Sequence, residues 1–150
     1  MIDPNILSIE NPVKSEVLLT TEESSTWLLD SGASYHVTPH RSQFRQYSDR
    51  HSDSVRVGNS QRCAIIGIGI VELNLPGGST LVLHNVRHVL ELSRPLISVG
   101  KLDETCICAG FSSGGWTLHR GNLLLARGPK VHSLYPLYVL RYQVQLVLSS

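Results

Sequence analysis

One aspartate, Asp30, lies between an apolar run and a turn of small residues. The run is Trp27–Leu29 and the turn is Ser31–Ser34. An apolar run bounded by turn residues predicts a short buried strand, and a carboxylate at the end of such a strand must be paired or hydrogen-bonded. Two such carboxylates that share a proton can activate water and protonate a peptide carbonyl. These residues therefore permit acid–base hydrolysis, although Asp, Ser and Gly are equally common in ordinary turns.

The elements that would hold this turn are mostly short β-strands. Val55 and Val57 alternate with a polar residue before the turn Gly58–Ser60, which predicts a hairpin. Two further strands, predicted at 68–75 and 80–86, flank a Pro-Gly-Gly-Ser turn. The best helix candidate is the short segment 98–104. Short strands at this spacing predict an all-β domain built on a small closed sheet, with one short helix.

Composition excludes several classes of protein. The 150-residue chain has a formal net charge of +1 and no apolar run near the ~20 residues that a membrane span requires. Three cysteines, Cys63, Cys106 and Cys108, are an odd number without Cys-x-x-Cys spacing, so reduced thiols are expected. Basic residues cluster in places, but nothing matches a base-reading motif. We therefore expect no membrane partner, and a nucleic-acid partner is disfavoured.

Other candidate sites in the sequence are weaker. His36 and His40 have the i,i+4 spacing of a zinc pair on a helix, but Pro39 between them argues against a helix. Gly67-x-Gly69 lacks the third glycine of a dinucleotide fingerprint, and we interpret it as close packing or a bulge in a strand. We therefore predict no metal and no cofactor.

Five segments, in order along the chain, resemble the protease region of copia-type retrotransposon Pol polyproteins and the start of the gag-pre-integrase segment after it. They are Asp30–Thr38, Val55–Asn59, Ile66–Val71, Leu83–Val89 with Leu96–Leu102, and Leu125–Gly128 with Ser133–Leu137. The chain departs from the family pattern at Leu90 and Pro95, where proline and asparagine are usual. No single segment is specific to this family, but five segments in the family's order are.

The resemblance implies a retropepsin-like β-barrel with a flap hairpin, followed by a C-terminal β-hairpin extension. Four regions follow from it: a polar leader at 1–24, the barrel at 25–104, a gag-pre-integrase-like segment at 105–141 and a tail at 142–150. The implied site residues are Asp30 as the catalytic group; Ser31, Gly32 and Ala33 as support of its turn; Val57, Gly58, Asn59 and Ser60 as the flap; and Ile97, Val99 and Gly100 as a loop that braces the turn.

Two functions remain open at this point. The first is an aspartic endopeptidase that processes its own polyprotein; because each chain supplies one Asp, it would be active only as a homodimer. The second is a decayed or truncated transposon-derived β-barrel fragment without enzymatic activity. The implied partners are a second copy of the chain and polyprotein peptides, and the implied location is the cytoplasm, virus-like particles included.

Overall fold

Four β-sheets and one short α-helix make up the part of the chain that the computed structural model describes, which is residues 17–21, 25–49, 54–57, 61–140 and 142–146. The helix, α1, is Val99–Glu104, and a 3-10 turn covers Arg41–Gln43. The strands are β1 (Val17–Thr21), β2 (Ser25–Asp30), β3 (Val37–Thr38), β4 (Phe44–Ser48), β5 (Ser54–Val57), β6 (Gln61–Ala64), β7 (Gly67–Asn74), β8 (Thr80–His88), β9 (Leu96–Ser98), β10 (Ile107–Ser112), β11 (Gly115–Arg120), β12 (Leu123–Pro129), β13 (Pro136–Val139) and β14 (Tyr142–Leu146).

The chain divides into two units. One consists of residues 1–24 and 141–150, and within it β1 pairs antiparallel with β14. The other, Ser25–Leu140, contains all the remaining elements. Residues 1–16 of the predicted leader and 147–150 of the predicted tail lie outside the described residues. Within the described residues, no helix is long and apolar enough to cross a membrane.

A seven-stranded sheet holds the predicted catalytic turn. Its strand order is β13-β2-β9-β3-β8-β7-β4. β2 runs parallel to β9, and β3 runs antiparallel to β9 and parallel to β8. The short strand β9 thus lies between the two strands that enter and leave the Asp30 turn. Its Ile97 and the neighbouring Trp27 are completely buried, as expected for strands in the middle of a sheet with parallel pairing.

The expectation of a closed barrel is not met. Among the described strands no sheet closes on itself, because the seven-stranded sheet ends at β13 and β4, while β10-β11-β12 form a separate three-stranded sheet and β5 pairs with β6 alone. One apolar cluster joins residues of the seven-stranded sheet, α1 and the three-stranded sheet, including Leu29, Leu102 and Leu118. The core therefore forms by packing between sheets, which buries the apolar faces without closure.

The C-terminal region is also larger than the predicted hairpin. β10, β11 and β12 form an antiparallel meander, with a register shift between Leu118 and His119. β13 then leaves the meander and pairs with β2 of the seven-stranded sheet. The proposed boundary between residues 104 and 105 remains a prediction.

The glycines Gly67 and Gly69 permit a close approach between β7 and β4. A Cβ atom on Gly69 would overlap the backbone of Gln46, and a Cβ on Gly67 would overlap the ring of Tyr47. The register of β7 against β8 also shifts between Gly69 and Val71. Both observations confirm the interpretation of this Gly-x-Gly segment as strand glycines at a close contact and a bulge.

Candidate active site

The carboxylate of Asp30 lies at the end of β2, where the chain turns away from the sheet. Its Oδ1 accepts a hydrogen bond from the backbone N–H of Gly32 at 2.7 Å, and its backbone oxygen accepts one from Ala33 at 3.4 Å. An aspartate that bonds the N–H two residues on forms its own turn. Asp30 is half-buried, and its second oxygen, Oδ2, makes no hydrogen bond to a described residue. Oδ1 is thus held by the turn, while Oδ2 remains available to bind a proton or to accept a hydrogen bond.

Little room is left for a side chain at Gly32 in this turn. An ideal Cβ on Gly32 would lie only 3.3 Å from Asp30 Oδ1, the atom that its own N–H contacts. Ser31 is exposed, and its hydroxyl makes no hydrogen bond within the described part of the chain. The turn is therefore held by the Asp30–Gly32 contact and by β9, rather than by the side chain of Ser31.

Ser98, the last residue of β9, ties the turn to the helix. Its buried Oγ donates a hydrogen bond to the backbone oxygen of Ala33 at 2.7 Å and accepts one from the N–H of Lys101 at 3.1 Å. The second bond makes Ser98 the N-cap of α1. The N–H of Ser98 also donates to Nδ1 of His36 at 3.0 Å. One residue thus holds both Ala33 in the turn and His36 beyond it.

Ser98 was missed as a site residue, because the resemblance to the copia family implied only Ile97, Val99 and Gly100 as the bracing loop. A signal was present: a serine directly before a short helical segment is a common N-cap. Among the predicted bracing residues, Ile97 is completely buried and Val99 is half-buried against the core. Gly100 is exposed, and the nearest atom to an ideal Cβ there is Ser98 Oγ at 3.9 Å.

Ser98→Ala is expected to lower the free energy of unfolding by about 1–2 kcal/mol, because it removes the helix cap and leaves the Ala33 carbonyl without its donor. Urea unfolding measures the change. Ser93→Ala is the matched control, since Ser93 is exposed and surface substitutions usually change stability by less than about 0.5 kcal/mol. Equal effects of the two substitutions would show that Ser98 does not brace the turn.

The residues predicted to form the flap are described only in part. β5 and β6 pair antiparallel: Ser54 lies opposite Ala64, and Val57 lies opposite Gln61. This pairing confirms the two strands of the predicted hairpin. Gly58, Asn59 and Ser60 lie outside the described residues. The base of the hairpin is anchored, because Cys63 packs in a small apolar cluster with Val37 of β3.

His36 is buried beside the turn, and burial is the main reason why its pKa falls from 6.5 to about 4; the positive charges of Lys101, Arg87 and His84 lower it further. The bond from the N–H of Ser98 to Nδ1 requires this nitrogen to be unprotonated. His36 therefore acts as a neutral acceptor, while His40 is exposed.

The two departures from the family pattern fit the fold. Leu90 lies in an exposed turn after β8, with 61% of its surface accessible. Pro95 cannot donate a hydrogen bond, but its carbonyl oxygen accepts one from the N–H of Leu28 at 3.0 Å. Neither residue disrupts the pairing of β2 with β9.

The chain belongs to a family of Pol polyprotein domains: the family described as "Pol polyprotein, beta-barrel domain" matches residues 27–107. This range includes the Asp30 turn, β9 and α1. It identifies the chain as part of a retrotransposon Pol polyprotein, as the five ordered segments predict.

A particular relative agrees with this assignment. The chain is 35% identical over 122 residues to the retrovirus-related Pol polyprotein from transposon TNT 1-94 of Nicotiana tabacum. The aligned region covers 81% of this chain but 9% of the tobacco polyprotein. The chain thus spans about a tenth of the length of that relative.

Proposed function

We propose that this chain is the aspartic endopeptidase domain of its polyprotein, active as a homodimer, with Asp30 as the catalytic residue. The observation that carries the proposal is the state of the Asp30 carboxylate: Gly32 holds Oδ1, and Oδ2 has no hydrogen-bond partner among the described residues. The position of β9 between β2 and β3 supports a retropepsin-like arrangement of the turn.

The chemistry follows from pairing two copies of this turn. When two Asp30 carboxylates face each other across a twofold axis, their repulsion leaves one protonated and the other ionised. The ionised carboxylate takes a proton from water, the water attacks the peptide carbonyl, and the protonated carboxylate donates its proton to the carbonyl oxygen. The tetrahedral intermediate then collapses: its C–N bond breaks, the leaving nitrogen receives the proton taken from water, and the hydroxyl proton returns to the other carboxylate. One chain has a single Asp-Ser-Gly turn, so the second carboxylate must come from another copy.

The substrate in this proposal is an extended segment of the polyprotein. The hairpin that begins with β5 and includes Val57–Ser60 would cover it, and backbone hydrogen bonds would hold it like an added strand. Residues 105–141 would represent the beginning of the gag-pre-integrase segment, and the protein would act in the cytoplasm, virus-like particles included.

The test is cleavage of a peptide that spans a polyprotein junction, measured over a range of protein concentrations. If the dimer is the active form, the rate per chain rises with concentration and levels off when dimerisation is complete. A statine-type transition-state mimic should block the cleavage.

The alternative, a transposon-derived domain without enzymatic activity, makes the opposite prediction. It requires that no peptide is cleaved even at concentrations where sedimentation detects a dimer. Cleavage whose rate per chain does not depend on concentration would contradict the homodimer.

A further inference from the structure

A cavity of about 210 Å³ is lined by β8, by the C-terminal part of α1 and by Tyr35 and His36, which follow the Asp30 turn. Basic side chains from three parts of the chain line it: His36 after the turn, His84 and Arg87 on β8, and Lys101 on α1. One acid, Glu104, also lines it. His36 is neutral here, so the positive electrostatic character of the cavity comes from the charges of Arg87 and Lys101 against one carboxylate.

Two nitrogens of the Arg87 guanidinium group have no hydrogen-bond partner among the described residues. Its Nη1 donates to the backbone oxygen of Asn85 at 2.7 Å, but its buried Nε makes no hydrogen bond, and neither does Nη2 to any described residue. Nε has almost no accessible surface, so an anion in the cavity cannot reach it. Nη2 is the nitrogen that is left to donate a charge-assisted hydrogen bond to an oxygen of a carboxylate or phosphate.

The ring of Tyr35 contacts the positive groups of both Arg87 and Lys101. The Cζ of Arg87 lies 3.8 Å from the centroid of the Tyr35 ring, and the Nζ of Lys101 lies 5.3 Å from it. Both distances are within the range of cation–π attraction. The ring therefore offsets part of the repulsion between Arg87 and Lys101.

The backbone of β8 is distorted at the same place. Between Leu83 and Val86 the strand carries one residue more than its partner β7, and Asn85 has a φ of 56°. This left-handed conformation is uncommon for a residue with a side chain, although Asn tolerates it better than most. The bulge turns the carbonyl of Asn85 to Nη1 of Arg87, and bulges of this kind often lie next to functional sites.

We propose that this cavity binds a phosphate group, with Nη2 of Arg87 and the ammonium of Lys101 as its main ligands. His36, whose Nδ1 is occupied by Ser98, offers its Nε2–H as a further donor. The cavity is larger than a single phosphate ion, so either inorganic phosphate or the phosphate of a small monoester fits. This site does not depend on the activity proposed for Asp30.

The test is a titration of the 15N-labelled full chain at neutral pH, followed by NMR at constant ionic strength. Inorganic phosphate and glycerol phosphate are the two probes, and acetate is the comparison anion. Both phosphates should give saturable shifts at Arg87 and Lys101; tighter binding of the monoester would indicate an organic phosphate as the ligand. Acetate binding as tight as that of phosphate would overturn the proposal.

Three substitutions distinguish binding in the cavity from nonspecific attraction of anions. Arg87→Gln and Lys101→Gln should each weaken phosphate binding about tenfold, because each removes a charged hydrogen-bond donor. Arg94→Gln removes the same charge from an exposed residue that does not line the cavity, and it should leave the affinity unchanged. Equal weakening by all three substitutions would indicate nonspecific attraction and would overturn the proposal.

Glu104→Gln provides a test that does not depend on the stability of the Arg87 variant. Glu104 is exposed, and its Oε1 lies 3.4 Å from Nζ of Lys101, so it competes with an incoming anion. Its neutralisation should tighten phosphate binding about two- to threefold, as expected for one exposed ion pair. An unchanged or weaker affinity would contradict a site built around Lys101.

Discussion

Asp30→Asn is expected to reduce peptide cleavage on the order of a thousandfold, the scale of effect seen when a general acid–base group is lost. The amide retains an oxygen that can accept the Gly32 N–H, so the turn should persist while the carboxylate chemistry is lost. The initial rate of cleavage at saturating protein concentration measures the effect. Asp49→Asn is the matched control, because Asp49 is exposed and lies outside the turn.

Mixing the variant with the unmodified protein tests the homodimer directly. When equal amounts associate at random, about a quarter of the dimers contain two Asp30 carboxylates. The activity should therefore fall to about a quarter of that of the unmodified protein at the same total concentration. A fall to only one half would mean that each chain acts alone, and cleavage that survives Asp30→Asn would exclude Asp30 as the catalytic group.

Stability should fall steeply in acid because of His36. Its pKa is about 4 in the folded chain against 6.5 for an unperturbed histidine, so between these values the unfolded chain binds the additional proton. The contribution of His36 to the free energy of unfolding is fully present above pH 6.5 and is lost as the pH falls toward 4. The free energy of unfolding then falls by up to about 1.4 kcal/mol per pH unit, and by about 3 kcal/mol in total. Urea unfolding across this range measures the slope.

His36→Asn tests this prediction. The asparagine oxygen can still accept a hydrogen bond from the N–H of Ser98, but the side chain does not titrate. It should flatten the pH dependence, leaving a smaller slope from His88. The pKa of His88 is also lowered by burial, and its ring accepts from the Tyr47 hydroxyl at 2.7 Å. His40→Asn, at an exposed position, should behave like the unmodified protein. If His36→Asn kept the full slope, the acid sensitivity would arise elsewhere.

Local patterns predicted the individual elements well. The alternation around Val55, the Pro-Gly-Gly-Ser turn and the short helix candidate at 98–104 led to β5, to the β7–β8 pair and to α1, because each depends on neighbours within a few residues. The same is true of Gly67 and Gly69, where a glycine inside a strand pattern indicates close backbone packing.

The arrangement of the strands was harder to predict from the sequence. Alternation shows which side chains are buried, but it does not show which strand lies beside which, so neither the insertion of β9 between β2 and β3 nor the open sheet followed from it. The basic cavity was missed for a related reason. His36, Arg87 and Lys101 are far apart in the sequence and look like unrelated residues until β8 and α1 bring them together.

The two neighbours of β2 have a consequence for synthesis on the ribosome. β2 pairs with β9 on one side and with β13, Pro136–Val139, on the other. A growing chain that has emerged only as far as α1 still lacks the second neighbour, so the edge of β2 stays unpaired until residues near 139 are released. The pairing of β2 with β13 can therefore form only after translation has passed the three-stranded meander, since pairing between distant segments must await both of them.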